Sequence, residues 1–192
     1  PERVARVLAA EPIRLVTLVP TMLARVFEVG LERRPAPLRT LLLGGGPIPA
    51  VLVEKCLTRG IPAAPTYGLT EAASQVATLL PTELALAGDT AGPALPDTDL
   101  RIAREDGSQA ASGEPGQILV RGPQVMRGYL DRPEETARAL AGGWLHTGDV
   151  GALDARGRLR VLDRREDLIV SGGENVYPAE VEAALLTHPA VR

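Results

Sequence analysis

The chain has 192 residues, of which 45% are hydrophobic and 23% are charged, and its net charge is -3. This length and composition are typical of one large or two small globular domains. The charge gives no indication of nucleic-acid binding, and no apolar run is long enough to predict a membrane span. Cys56 is the only cysteine, which excludes an internal disulfide and favours a cytoplasmic setting.

The chain contains 21 basic residues, and Lys55 is the only lysine among them. A mechanism that needs a lysine must therefore use Lys55 or a residue outside these 192. The chain opens on a helix pattern without an initiator methionine and ends where a new strand could begin, so we expect a piece of a longer protein. Whether that protein forms a homo-oligomer stays open.

Residues 1–82 alternate helix patterns with short apolar strands, which predicts an α/β fold. The strands are rich in leucine and β-branched residues, and glycine or proline separates them from the helices. This order is typical of a mostly parallel sheet with flanking helices. The predicted elements are helix 2–10, strand 15–19, helix 20–31, strand 41–43, helix 49–58 and a strand-like stretch at 61–64.

Two consecutive strands of this predicted sheet end in glycine-containing turns. Gly44, Gly45 and Gly46 follow one strand, and Pro65–Glu71 follows the next. Because ligands of parallel sheets bind beyond the carboxyl ends of the strands, we expect the two turns to lie side by side at a ligand site.

The second of these turns carries side chains that suit a nucleotide and its metal ion. Tyr67 offers a flat face to a planar group, and Gly68 lacks a Cβ and lets backbone approach a ligand. Thr70 can donate to a phosphate oxygen, and Glu71 is a hard oxygen ligand of the kind that Mg²⁺ prefers. The same residues also fit an ordinary turn followed by a helix start with Thr70 as N-cap.

Helical periods disappear after about Pro81, and short strands between glycine, proline and aspartate residues replace them. This pattern predicts an antiparallel β region over residues 83–165, in the form of a small β-barrel. The predicted elements are strands 99–103, 117–120 and 158–162, a hairpin tip at Asp106-Gly107 and one helix at 133–140.

A second polar group lies between Gly143 and Asp149. Asp149 follows a glycine and could accept two hydrogen bonds from a ribose diol. An aspartate that caps its own turn has the same pattern. We interpret His146 as a surface residue and Trp144 as a core residue.

The charged stretch Asp163–Asp167 lies between two apolar segments and is interpreted either as a joint between packed bodies or as a solvated turn. Ser171–Asn175 has the composition of a glycine hairpin, and Pro178 begins a helix pattern. Residues 166–192 are therefore predicted to be a hinge and the start of a small α+β C-terminal domain.

Five ordered motifs make the sequence resemble the adenylate-forming acyl-CoA ligases, the AMP-binding superfamily. The resemblance covers nearly the whole chain. Within the superfamily it is strongest to the o-succinylbenzoate–CoA ligase subfamily of menaquinone biosynthesis, on the basis of Thr70–Gln75 and Asp163–Pro178. The five motifs lie at residues 67–71, 113–118, 128–130, 147–149 and 163–180.

The resemblance implies a ligase of two half-reactions that uses a carboxylic acid, ATP with Mg²⁺, and coenzyme A. The acid attacks the α-phosphorus of ATP to give acyl-AMP and pyrophosphate, and the thiol of coenzyme A then displaces AMP. The resemblance implies that adenine binds to Gly44, Gly45, Gly46 and Tyr67, with Gly68 beside them, and that the ribose binds to Asp149 and Arg164. It implies catalytic roles for Thr70, which binds the phosphate, and for Glu71, which binds Mg²⁺. It further implies that Ser74 and Gln75 line the acid pocket, that Glu166 and Asp167 form the hinge, and that Gly172 and Gly173 line the coenzyme A channel.

Two lysine-bearing features of the superfamily are missing from these residues. They are the glycine-rich phosphate loop that ends in lysine and the adenylation lysine of the C-terminal domain. Lys55 lies in a predicted helix and fits neither role, so we expect no ligase activity from this chain alone. Three hypotheses stay open: a ligase for o-succinylbenzoate, a ligase for a fatty or aryl acid, and a non-catalytic AMP-binding module.

Overall fold

A computed structural model describes residues 1–164, 169–171, 174–176, 178–185, 188 and 190–191. Within these ranges the chain forms a four-stranded mixed sheet, a four-stranded antiparallel sheet and a two-stranded ladder. None of the helices in the described ranges has both the length and the apolar character needed to cross a membrane.

The first sheet has the strand order β1-β2-β3-β4. The pairs β1–β2 and β2–β3 are parallel, and β3–β4 is antiparallel. The α/β fold with a mostly parallel sheet and flanking helices is therefore confirmed. Its elements are α1 (Glu2–Ala10), β1 (Leu15–Leu18), α2 (Pro20–Glu28), β2 (Thr40–Leu43), α3 (Ala50–Thr58), β3 (Ala63–Leu69), β4 (Ser74–Thr78) and α4 (Leu84–Ala87).

Local sequence explains where helix α2 begins and ends. Pro20 occupies the first turn, where its fixed φ suits a helix and its missing N–H is no loss. The helix ends at Glu28 rather than at the predicted residue 31. The reason is Gly30, which takes a φ of 109° just after the helix, a conformation that favours glycine and stops helix growth.

The second sheet is an antiparallel meander with the strand order β5-β6-β7-β8. The predicted antiparallel β region is present, but the prediction that it forms a small β-barrel is wrong. The described residues form an open sheet, since β5 and β8 are its two edges and four strands are too few to close around a packed interior. The elements are β5 (Asp99–Ala103), β6 (Gly116–Arg121), α5 (Pro133–Ala139), β7 (Leu145–Leu153) and β8 (Leu159–Arg164).

Three short elements lie among the described residues after Arg164. The strands β9 (Ile169–Ser171) and β10 (Glu174–Val176) pair antiparallel, which agrees with the predicted glycine hairpin. Helix α6 (Pro178–Leu185) begins at the predicted proline.

The buried apolar residues of the described ranges form two hydrophobic clusters. The first packs helices α1–α3 against the parallel strands, and the second packs β4 against the antiparallel sheet. Strand β3 belongs to both, because Ala63 lies in the first cluster and Tyr67 in the second. The predicted subdomain boundaries at 82/83 and 165/166 stay predictions.

Cys56 lies in the first cluster with no exposed surface. Burial of the thiol raises the pKa of Cys56 to about 11, because the thiolate would lose its hydration.

Candidate functional site

A hydrogen bond between two distant side chains connects the two large sheets. The hydroxyl of Tyr67, at the carboxyl end of β3, donates to Oδ2 of Asp149 in β7 at 2.6 Å. Tyr67 is buried and Asp149 is partly buried. The contact therefore brings together two residues that the sequence assigns to one nucleotide site.

Strand β7 fixes the backbone around Asp149. The Asp149 N–H donates to Oγ1 of Thr147 at 3.1 Å, and the Thr147 hydroxyl in turn donates to the carbonyl of Ile118 at 2.9 Å. Asp149 lies directly opposite Arg164 in the antiparallel pair of β7 and β8. The two predicted ribose-binding residues are thus cross-strand neighbours, although the side chain of Arg164 lies outside the described part of the structure.

Gly68 is needed for a close approach of two strands. A Cβ on Gly68 would lie 1.6 Å from the carbonyl oxygen of Ser74 in β4. The register of β3 and β4 also shifts between Tyr67 and Gly68. Gly68 therefore allows the close approach of the neighbouring strand, whereas the sequence had predicted that it lets a ligand approach.

Thr70 and Glu71 begin a 3-10 turn, Thr70–Ala72, that follows β3. The turn has Leu69 at its N-cap position and no side-chain cap hydrogen bond, so the alternative interpretation of Thr70 as a helix N-cap is wrong. The Thr70 side chain is exposed at the strand end, and Glu71 is partly buried.

The two predicted acid-pocket residues follow directly. Ser74 is exposed and has a φ of 90°, next to Ala73 with a φ of 48°. Such conformations are costly for residues with a Cβ and occur often at functional sites. The amide of Gln75 donates to Oγ1 of Thr66 at 3.2 Å, and Thr66 donates to the carbonyl of Ala77 at 2.8 Å. This network fixes the Gln75 side chain against β3.

The glycine turn after β2 lies beside the end of β3, as expected from the sequence. A Cβ on Gly44 would lie 2.6 Å from Cγ2 of Thr66, so Gly44 packs directly on the neighbouring strand. Gly45 has a φ of 81°, and both Gly45 and Gly46 are exposed.

Four other predicted site residues lie outside the described residues. They are the hinge residues Glu166 and Asp167 and the channel residues Gly172 and Gly173.

The structure adds a site residue, Tyr129, for which no role was predicted from the sequence. The hydroxyl of Tyr129 donates to Oε1 of Glu71 at 2.9 Å. Partial burial of the phenol raises the pKa of Tyr129, and the hydrogen bond to Glu71 and its negative charge raise it further. Tyr129 is part of the motif at 128–130, and that motif was the signal in the sequence. The motif did not indicate which residue Tyr129 contacts, because 58 positions separate the two.

An open cleft of about 760 Å³ borders this region. It touches the site at two points, through Tyr129 beside Glu71 and through Gly148 beside Asp149. His146 lies in its wall, with Nδ1 3.2 Å from Oε1 of Gln117. Trp144 is partly buried, with the guanidinium of Arg121 4.5 Å from its ring centroid.

Glu71 is the candidate metal ligand. No group of three or more His, Cys, Asp or Glu residues in the described ranges could hold a metal ion by itself. A single carboxylate fits Mg²⁺ nonetheless, because Mg²⁺ in nucleotide sites takes most of its ligands from phosphate oxygens and water.

These features define the class of protein: an α/β protein with a candidate nucleotide site at the carboxyl edge of a mostly parallel sheet, closed on one side by an antiparallel sheet. The chain belongs to the AMP-binding enzyme family, whose family model matches residues 1–130.

Similar proteins are known in sequence and in structure. The chain is 51% identical over 180 residues to the 2-succinylbenzoate–CoA ligase of Geobacillus sp. (strain WCH70), a match that covers 93% of this chain and 36% of that relative. It also resembles the o-succinylbenzoate CoA synthetase of Bacillus subtilis in complex with the acyl-adenylate intermediate OSB-AMP, with 44% identity and a TM-score of 0.93 over 98% of this chain and 39% of that one. The complex of the same enzyme with ATP and magnesium ion gives a TM-score of 0.92 at 44% identity, over 99% of this chain and 40% of that one. The chain thus spans well under half the length of these relatives.

Proposed function

We propose that this chain forms the nucleotide-binding part of an AMP-forming acid–CoA ligase that activates 2-succinylbenzoate. The observation that carries the proposal is the hydrogen bond between Tyr67 and Asp149, because it joins the two halves of the candidate site. The 51% identity to a 2-succinylbenzoate–CoA ligase supports the choice of acid. The proposed role in menaquinone biosynthesis depends on 2-succinylbenzoate being the acid substrate.

In this proposal one side chain serves two parts of the nucleotide. The ring of Tyr67 and the turn Gly44–Gly46 contact adenine, while the Tyr67 hydroxyl orients the carboxylate of Asp149 toward the ribose hydroxyls. Arg164, opposite Asp149 in β8, is the second ribose ligand. A planar ring held by its own hydrogen bond loses little freedom on binding, which favours affinity.

The chemistry at phosphorus needs positioning and charge neutralisation more than covalent help from the protein. Thr70, exposed at the end of β3, donates to the α-phosphate. Glu71 holds Mg²⁺, which would neutralise charge on the phosphates when bound. Ser74 and Gln75 line the acid pocket, where the acid carboxylate attacks the α-phosphorus and pyrophosphate leaves. Coenzyme A then takes the acyl group and releases AMP.

A chimeric enzyme tests the proposal. This chain would replace the matching segment of the Bacillus subtilis o-succinylbenzoate CoA synthetase, and thioester formation would be measured with 2-succinylbenzoate, a fatty acid and an aryl acid. We expect 2-succinylbenzoate to be preferred, and Asp149→Asn in the chimera to raise the KM for ATP. A preference for a fatty or aryl acid would instead favour the alternative ligase.

The chain alone should lack ligase activity. Lys55 lies in α3, away from the strand ends, and no other lysine is present to counter charge on the transferring phosphorus. We expect no ATP–pyrophosphate exchange with 2-succinylbenzoate, and at best weak binding of a non-hydrolysable acyl-AMP mimic by calorimetry. Tight binding of the mimic without exchange in the chimera would favour a non-catalytic AMP-binding module. The cytoplasmic setting and the oligomeric state stay predictions.

A further inference from the structure

We propose that Tyr129 is a positioning residue for Glu71, and that Thr136 in helix α5 sets the place of Tyr129. This inference rests on the proposed function only for what Glu71 binds. The contacts themselves lie in the segment 126–129, which follows β6 and precedes α5.

The segment 126–129 holds Glu71 at two points. The N–H of Met126 donates to the backbone carbonyl of Glu71 at 2.7 Å, and the hydroxyl of Tyr129 donates to its carboxylate at 2.9 Å. Backbone and side chain are thus fixed by the same segment. A glutamate side chain has several rotatable bonds, so a second contact at its end removes most of its freedom before any ligand arrives.

Thr136 fixes the position of Tyr129 in turn. Its Oγ1 accepts a hydrogen bond from the Tyr129 N–H at 2.9 Å. A Cβ on Gly128, which has a φ of 150°, would lie 2.6 Å from Cγ2 of Thr136. The threonine is therefore packed against one residue of the segment and hydrogen-bonded to the next.

Helix α5 gives Thr136 a rigid base. The Thr136 N–H donates to the carbonyl of Arg132 at 3.0 Å, and the Leu140 N–H donates to the carbonyl of Thr136 at 2.9 Å. The connection thus runs from α5 through Tyr129 to the carboxylate of Glu71. Tyr129 is 40% exposed, so core packing alone does not explain a tyrosine at this position.

The contact can be tested by NMR on this chain, with ¹³C at the glutamate carboxyl carbons. Glu71→Gln assigns the signal. We expect Tyr129→Phe and Thr136→Val to move or broaden the Glu71 resonance. Thr136→Ser should preserve the signal, because it keeps the accepting hydroxyl. Tyr67→Phe is the matched control, since it removes a phenol that contacts Asp149 instead.

Metal binding provides the second readout. Mn²⁺ binding in the presence of ATP would be followed by electron paramagnetic resonance in the chimeric enzyme, where nucleotide binding is expected. Tyr129→Phe and Thr136→Val should each weaken it about tenfold, as expected for a lost hydrogen bond to a charged group, whereas affinity for AMP without metal should not change.

The outcomes separate the two proposals. A Glu71 resonance that is indifferent to both Tyr129→Phe and Thr136→Val overturns the inference. If the resonance responds but the chimera without these substitutions binds no Mn²⁺ with ATP, the positioning role is supported and the metal site of the proposed function fails. Equal losses of Mn²⁺–ATP and AMP affinity would also contradict positioning, because they would indicate general damage to the fold.

Discussion

At Gly68 the strands β3 and β4 approach too closely for any side chain. Replacement of Gly68 by alanine forces the backbone of Ser74 to move, because the new Cβ would lie 1.6 Å from its carbonyl oxygen. We expect Gly68→Ala to lower the free energy of unfolding by about 2 kcal/mol or more. Urea denaturation followed by the fluorescence of Trp144 measures this loss.

The glycine turn after β2 offers a matched control. A Cβ on Gly46 would meet no atom within 4 Å, and the residue does not adopt a positive φ. Gly46→Ala should therefore leave stability unchanged or raise it by about 0.5 kcal/mol, through the loss of unfolded-state entropy. Equal effects of the two substitutions would contradict the explanation by close strand approach.

Single residues show what the sequence could and could not predict about the site. The motif chemistry identified Tyr67, Glu71 and Asp149 as site candidates, because each has a functional group that suits one part of a nucleotide. It could not predict that Tyr67 donates to Asp149 or that Tyr129 donates to Glu71. Those contacts depend on how the two sheets pack, and no local pattern contains that information.

Among the elements, the β5–β6 hairpin is closed by an ion pair with good geometry. The guanidinium of Arg104 donates to both carboxylate oxygens of Glu114, at 2.7 and 2.5 Å. The N–H of Ala111 donates to the same carboxylate at 2.8 Å. The hydrogen bonds from Arg104, and then that from Ala111, lower the pKa of Glu114 from its ordinary 4.5 to about 2.

This pair predicts a pH dependence with a definite sign. Because the folded-state pKa of Glu114 lies below the unfolded-state value, the carboxylate stabilises the fold above about pH 4.5, and this stabilisation is lost as the pH falls toward 2. Wild type should therefore be more stable than Glu114→Gln at neutral pH, and the difference should vanish near pH 2. Both side chains are exposed, so salt should reduce the difference as well.

Glu105→Gln removes the same charge from the same hairpin and is the control. We expect the stability of Glu105→Gln to show the same dependence on pH, between about pH 4.5 and 2, as the stability of the wild type. A direct NMR titration of the Glu114 carboxyl carbon that gave an ordinary midpoint would contradict the prediction.

The helices and strands differ in how well they could be predicted from the sequence. The helices α2 and α3 and the parallel strands between them follow from apolar periodicity bounded by proline and glycine. Strand β7 was not predicted as a strand. It contains Gly148 and Gly151 among polar residues, and such a sequence has weak strand propensity. Its pairing with β6 and β8 supplies the stability that the local sequence lacks.

At the scale of the whole molecule, strand β3 makes the two cores interdependent. Its amino-terminal half packs with the helices and its carboxyl-terminal half packs with the antiparallel sheet. Disruption of either cluster should therefore affect the other. A change in composition predicted a boundary near residue 82. Composition alone cannot show that one strand contributes residues to both hydrophobic clusters.

Because Cys56 is buried, the interdependence of the two clusters can be measured. A thiol with no exposed surface and a pKa of about 11 reacts with a disulfide reagent only when the protein around it opens. Cys56 is the sole cysteine and Trp144 the sole tryptophan. The thiol reports on the helical cluster, and the indole, directly before β7, reports on the antiparallel sheet. We expect thiol labelling and tryptophan fluorescence to yield the same opening free energy across a urea series. Labelling that becomes rapid at urea concentrations well below the midpoint of the fluorescence transition would reveal two autonomous folding units. No substitution is needed for this experiment, because the sequence already contains both reporters.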